Sequence, residues 1–162
     1  MMDRRTLVVG AAALGALAGW RPARAADALA FPGALGWAAT TPGGRDGAVL
    51  RVTSLDGEGP GTLRAALEAE GPRIVVFEVG GIIDLNGRDI RIANPFLTVA
   101  GQTAPEPGIT LIRGGVSIRT HDVIVRHIRI RPGANGAAPK SGWEVDGLTT
   151  SAAHDVIVDQ CS

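Results

Sequence analysis

His121-Asp122-Val123-Ile124-Val125-Arg126-His127 returns downstream as His154-Asp155-Val156-Ile157-Val158-Asp159-Gln160. Each copy has two polar turn-formers, three β-branched residues and two further polar residues. A weaker copy lies upstream, Asn94-Pro95-Phe96-Leu97-Thr98-Val99-Ala100. Phe96, Asp122 and Asp155 align at the start of the three copies. Steps of this size, roughly 30 residues, mark an array of stacked units.

The period inside the copies indicates what is stacked. Val123 and Val125 fall on one face by the strand period of two. Ile128 and Ile130 also read as buried, with Arg129 and Arg131 outside. The two pairs differ in parity, so the phase slips near Arg126-His127, and a bend there lets both short strands point inward. A strand, a corner, a second strand and a return one coil later describe an all-β fold, a right-handed parallel β-helix. The competing architecture is a β-sandwich of short strands, which rarely repeats a strand phrase in register.

Outward from that stretch, Ala48 to Thr53 alternates as a strand. Thr62 to Glu70 is the one good helix candidate, with Leu63, Ala66 and Leu67 on one face and Gly71-Pro72 as its stop. A short helix there would cap the open hydrophobic end of the first coil. Ile74-Val75-Val76-Phe77 begins that coil, and Ile82-Ile83-Asp84-Leu85, Ile90-Arg91-Ile92 and Ile109-Thr110-Leu111-Ile112 supply further walls. The stretch from Ala30 to Arg45 is glycine-rich and irregular. Its Gly43-Gly44 lacks the Gly-Lys-Ser/Thr of a phosphate loop. The expected organisation is a targeting segment over 1–25, a cap region with its helix over 26–72, and the first coils over 73–162.

Residues 1–25 carry Arg4-Arg5, an apolar run from Leu7 to Trp20, and the small-x-small pattern Ala23-Arg24-Ala25 read by signal peptidase. The paired arginines resemble a twin-arginine signal, with an ordinary secretory signal as the alternative. The run is shorter than the ~20 residues that a membrane span needs. The expected location is therefore secreted or periplasmic, with no membrane attachment after signal removal. Lys+Arg and Asp+Glu are 16 each, a balance that points away from nucleic acid and membrane surfaces as partners. The 23 Gly and 10 Pro fit many short strands and turns. The single cysteine, Cys161, excludes an internal disulfide.

Several motifs in order carry a resemblance. They are Ala30-Phe31-Pro32-Gly33-Ala34, Gly59-Pro60-Gly61-Thr62-Leu63-Arg64, Pro72-Arg73-Ile74-Val75-Val76-Phe77-Glu78, Val99-Ala100-Gly101-Gln102-Thr103-Ala104-Pro105, Val123-Ile124-Val125-Arg126 and Val156-Ile157-Val158-Asp159-Gln160-Cys161-Ser162. Together they resemble secreted bacterial pectate lyases of polysaccharide lyase family 1, from Ala30 to the last residue. The resemblance implies a pectin lyase-like β-helix that cleaves an acidic polysaccharide, polygalacturonate or pectin, by calcium-assisted β-elimination. It also implies a monomer at full length.

That chemistry removes a weakly acidic proton from C5 of a uronate. A hard cation with oxygen ligands acidifies the proton, and a base, arginine in this family, takes it. Calcium needs clustered carboxylates, and the candidates are Glu144 and Asp146, separated by one residue and so on one side of an extended strand. From spacing alone they read first as solvated loop carboxylates. The resemblance places Asp146, upstream of Asp159, where the family has a calcium-binding aspartate. Glu144 stands where some members have a second acidic ligand.

Asp159-Gln160 departs from the family's Asp-His, and Asp159 reads as a hydrogen-bonding corner residue. His121, His127 and His154 read as polar corner groups, and Arg126, Arg129 and Arg131 as outward strand residues. The family's remaining acidic ligands, its substrate-binding lysine and its catalytic arginine are expected beyond the position of Ser162. The chain thus reads as the N-terminal part of a pectate lyase, without the base. A non-catalytic β-helical module binding acidic polysaccharide and a structural fragment pairing with another chain are the alternatives. Mass spectrometry of the exported product should find a mature N-terminus near Ala26; an intact Met1 would contradict the targeting assignment.

Overall fold

The computed structural model describes residues 28–134, 138 and 146–162. The targeting segment over 1–25 and Glu144 lie outside these residues. The elements in chain order are β1 (Ala48–Val52), α1 (Leu63–Glu68), β2 (Arg73–Phe77), β3 (Gly81–Asp84), β4 (Ile90–Ile92), β5 (Leu97–Ala100), β6 (Ile109–Ile112), β7 (Val116–Ile118), β8 (His121–Arg126), β9 (Ile128–Arg131), β10 (Leu148–Thr150) and β11 (His154–Asp159). The strands form three sheets: β1-β2-β5-β8-β11, β3-β6-β9 and β10-β7-β4. Every pairing is parallel. Successive strands of one coil go to different sheets, which is the parallel β-helix expected from the repeat.

The register reproduces the repeat. Ala48 pairs with Arg73, Arg73 with Leu97, Leu97 with Val123 and Val123 with Val156. The last two steps are those read from the aligned phrases. Phe96, Asp122 and Asp155, at the start of the three copies, all have positive φ, 59°, 55° and 52°. His127, at φ 55°, forms the corner between β8 and β9, and Gln160 repeats it at 55°. The parity slip near Arg126-His127 is this left-handed residue. Val123, Val125, Ile128 and Ile130 are all buried, as the two-strand reading requires.

The core is a stack of aliphatic side chains. Val75, Leu97, Ile90, Ile92, Ile118 and Val123 are fully buried in it. Leu63, Ala66 and Leu67 of α1 join the same cluster, at the end of the stack bounded by β1 and β4. The helix is shorter than the Thr62 to Glu70 expected. Thr62 is its N-cap, with a side-chain oxygen that accepts from the Ala65 amide. At the other end, side chains take the last carbonyls. Asn94 Nδ2 donates to the Glu68 and Ala69 oxygens, both at 3.1 Å. Arg73 donates to the Ala66 and Leu67 oxygens at 3.1 and 2.6 Å. With those acceptors occupied, the backbone turns out of the helix after Glu68.

Two short strands, β7 and β10, were not singled out by pattern; each is one alternation long and carries too little periodicity. The larger surprise is the irregular segment before β1. It is a strap that crosses the outer face of the five-stranded sheet. A β-carbon on Gly47 would overlap the Pro72 carbonyl, one on Gly44 the Arg73 carbonyl oxygen, and one on Gly43 the Ile124 side chain. The Gly44 amide donates to Thr98 Oγ1 at 2.9 Å. Thr41 Oγ1 donates to Asp122 Oδ1 at 2.7 Å. The strap explains why Ile124, on the opposite face from Val123 and Val125, is also buried.

Gly44→Ala should lift the strap, exposing Ile124 and losing the bond to Thr98. Overpacking of this kind costs about 1–3 kcal/mol, to be read as a lower urea midpoint. An unchanged midpoint would mean that the strap adds nothing to folding.

Candidate functional site

The sheet formed by β4, β7 and β10 positions the sequence-predicted aspartate. Its strands are in register, with Ile90, Val116 and Leu148 aligned, then Arg91, Ser117 and Thr149. Ile90 and Ile92 are buried while Arg91 is exposed, so Arg91, Ser117 and Thr149 make an outward row. Asp146 lies just before β10, at the edge of that row. Its backbone oxygen sits so close to Gly115 that a β-carbon there would overlap it. The Val116 amide donates to the Gly147 carbonyl at 2.9 Å, and the Ile90 amide to the Gly115 carbonyl at 2.9 Å. Glycine at 115 therefore lets the chain carrying Asp146 stack directly on the preceding coil.

The Asp146 side chain is exposed and has one weak partner, Thr149 Oγ1, at 3.4 Å from Oδ2. Its other oxygen has no hydrogen bond among the described residues. Two coils below, Asp89 Oδ1 accepts the Gly115 amide of the intervening coil at 2.7 Å, so that carboxylate is committed to the backbone. No group of three or more His, Cys, Asp or Glu among the described residues could hold a metal ion. Calcium takes about 6–8 oxygens, and a single exposed carboxylate is not a calcium cage. The described residues on their own do not fit the ion.

The other charged residues picked from the sequence serve the frame. Arg126 Nε donates to Asp159 Oδ2 at 2.7 Å across one coil step. The same guanidinium lies 3.8 Å over the Phe31 ring of the strap. Asp159 is thus a hydrogen-bonded corner residue, as read from the sequence, and Arg126 is more than an outward strand residue. Arg129 donates to Thr110 Oγ1 at 2.8 Å and to the Pro107 carbonyl. Arg131 donates to Ser162 Oγ at 3.1 Å. His121 and His154 stack with ring centres 4.9 Å apart, each with Nδ1 against the next aspartate. Phe96 meets His121 edge-on, so the corner positions form an aromatic ladder. A further exposed pair was not anticipated. Hydrogen bonding to Arg113 holds the Asp84 carboxyl below its usual value, and Arg113 is raised in turn.

No family model matches this chain. Curated proteins do match it. It is 44% identical over 135 residues to "Probable pectate lyase C" of Emericella nidulans, covering 83% of this chain and 30% of that protein. The Aspergillus fumigatus protein of the same description is 43% identical with the same coverage. "Pectate lyase 5" of Ambrosia artemisiifolia is 28% identical, covering 80% of this chain and 36% of that one.

The chain is similar to pectate lyases. It spans about a third of the length of these relatives. They are fungal and plant proteins, not the bacterial enzymes that the motifs resemble; the likeness holds at the level of the enzyme class. No helix among the described residues is long and apolar enough to cross a membrane.

Replacing Arg126 by Met should remove the Asp159 bond and the Phe31 stack together. In a double-mutant cycle with Phe31→Leu, the coupling should come to about 0.5–1 kcal/mol. Additive effects would show that strap and wall are independent.

Proposed function

We propose that this chain is the N-terminal part of a secreted or periplasmic pectate lyase that cleaves polygalacturonate or pectin by calcium-assisted β-elimination. The observation that carries the reading is 44% identity across 83% of the chain on a parallel β-helix with Asp146 at the edge of an outward wall. The substrate is a polyanion. Arg91, Ser117 and Thr149 form a row of one cation and two hydroxyls that suits a chain of carboxylates and hydroxyls. Asp146 offers an open carboxylate beside that row. Calcium would neutralise the uronate carboxylate and acidify its C5 proton. From this chain its contacts would be Asp146 and Glu144, with the remaining ligands and the base supplied by further coils.

With these two carboxylates and water alone, calcium affinity should be millimolar or weaker by titration calorimetry. Polygalacturonate incubated with this chain and calcium should show no rise in the absorbance of unsaturated product. A longer version with further coils should show that rise, and Asp146→Ala should lower it about 100-fold. If the longer protein keeps full calcium-dependent activity after Asp146→Ala, the assignment at this position is wrong. A longer protein that binds polygalacturonate without cleaving it would instead identify a non-catalytic binding module.

A further inference from the structure

Almost every arginine among the described residues is committed to the protein itself. Arg51 and Arg88 pair with Glu78 and Glu58, Arg113 with Asp84, and Arg126 with Asp159. Arg45, Arg64, Arg73, Arg129 and Arg131 donate to carbonyl or hydroxyl oxygens. The side chains of Arg91 and Arg119 are different: neither has a hydrogen bond or ion pair among the described residues. Both are exposed.

The two stand on one wall. Arg91 of β4 is in register with Ser117 of β7 and Thr149 of β10. The Arg119 amide donates to the Ile92 carbonyl at 2.9 Å, and the Ser151 amide to the Ile118 carbonyl at 3.0 Å. Ala93, Arg119 and Ser151 therefore make the next outward row. Arg91 and Arg119 are one coil and two residues apart, which puts their backbones roughly 8 Å from each other by strand spacing and rise. Their neighbours in both rows, Ala93, Ser117, Thr149 and Ser151, are all small, so two guanidinium groups rise from a low floor edged with hydroxyls. Neither row carries a carboxylate. Asp146 lies at the opposite end of these strands, before β10, and neither arginine pairs with it. The other two outer faces offer nothing comparable. The strap crosses that of the large sheet, and on the sheet of β3, β6 and β9 Arg129 is held by Thr110 and Asp84 by Arg113.

We infer that Arg91 and Arg119 form a subsite for free carboxylates of an acidic polysaccharide, away from the Asp146 edge, and that they set a preference for unesterified units. The inference rests on the reading of this chain as part of a lyase acting on polygalacturonate or pectin, and deepens it. Two uncompensated like charges side by side favour an anion that can span them. A guanidinium presents a planar fork of donors that matches a carboxylate, and a methyl ester offers that fork no charge. The hydroxyls of Ser117, Thr149 and Ser151 match the hydroxyls of a sugar, which singles out an acidic polysaccharide among polyanions.

The test titrates unesterified galacturonate oligomers into the full chain in the presence of EDTA, with fully methyl-esterified oligomers in parallel. The unesterified oligomers should bind about tenfold more tightly. Arg91→Gln and Arg119→Gln should each weaken their binding about tenfold. Neither substitution should move the melting temperature, since neither side chain is tied to the protein. Arg51→Gln removes the same charge from the large sheet and should change affinity by no more than about twofold. An equal loss with Arg51→Gln would reduce the effect to overall charge and overturn the inference. Equal binding of the esterified oligomers, or no binding at all, would overturn it too. In a longer version with further coils, Arg91→Gln and Arg119→Gln should raise KM for polygalacturonate several-fold, with the loss falling on KM rather than on kcat. A longer version that cleaves with KM unmoved by either substitution would sink the subsite and leave the lyase reading standing. Oligomer binding that depends on both arginines, in a longer version that cleaves nothing, would support the subsite and sink the lyase reading.

Discussion

A strand in a parallel coil can satisfy none of its own backbone hydrogen bonds. Its amides and carbonyls go to the coil before and the coil after, so each coil exists only as part of the stack. From that constraint follows the in-register pairing that runs from Ala48 through Arg73, Leu97 and Val123 to Val156. So does the left-handed corner repeated at His127 and Gln160. The close approaches at Gly44, Gly101 and Gly115, where a β-carbon would strike a neighbouring coil's backbone, serve the same need at places where another segment must lie flat on the stack.

The stack must also stop, and Arg73 is central to the closed end. It is a fully buried guanidinium facing carbonyls rather than a carboxylate. It binds the Ala66 and Leu67 oxygens of α1, the Gly71 oxygen and the Pro95 oxygen before β5. Burial lowers its pKa from the ordinary arginine value, but an arginine stays charged in a protein even so. Its fixed fork of donors collects the spare carbonyls of the helix C-terminus and of the turn before β5, a task that neither lysine's compact ammonium nor an apolar side chain could match. Arg73 joins the cap helix to the second and third strands of the large sheet, and Asn94 adds a second tie to the same end of the helix.

The repeated phrase made the fold legible because its register is a covalent fact of spacing: Phe96, Asp122 and Asp155 really are stacked. The burial of Val123, Val125, Ile128 and Ile130 followed from parity alone. The strap was not legible, because its information lies in what its glycines touch, and contacts as distant in sequence as Gly44 with Thr98 leave no periodic trace. Arg126 shows the same limit from the other side. As a strand residue of outward parity it looked like solvent-facing charge, and only the folded chain brings Phe31 and Asp159 to it. Asp146 was picked by resemblance, and no local pattern separates an open carboxylate such as this from the committed Asp89.

The strap is synthesised first, but its partners come late. Thr41 meets Asp122 across 81 residues, and Phe31 cannot stack until Arg126 is in place. Contacts of such sequence separation are slow to form, because loop closure must be met before they yield anything. While the coils assemble, the outer face of the large sheet, with Ile124 at its centre, is therefore bare. The part of the strap that covers that face can close only once Asp122 and Arg126 are in place, and the interval before it does is when unfinished chains are most prone to stick to one another.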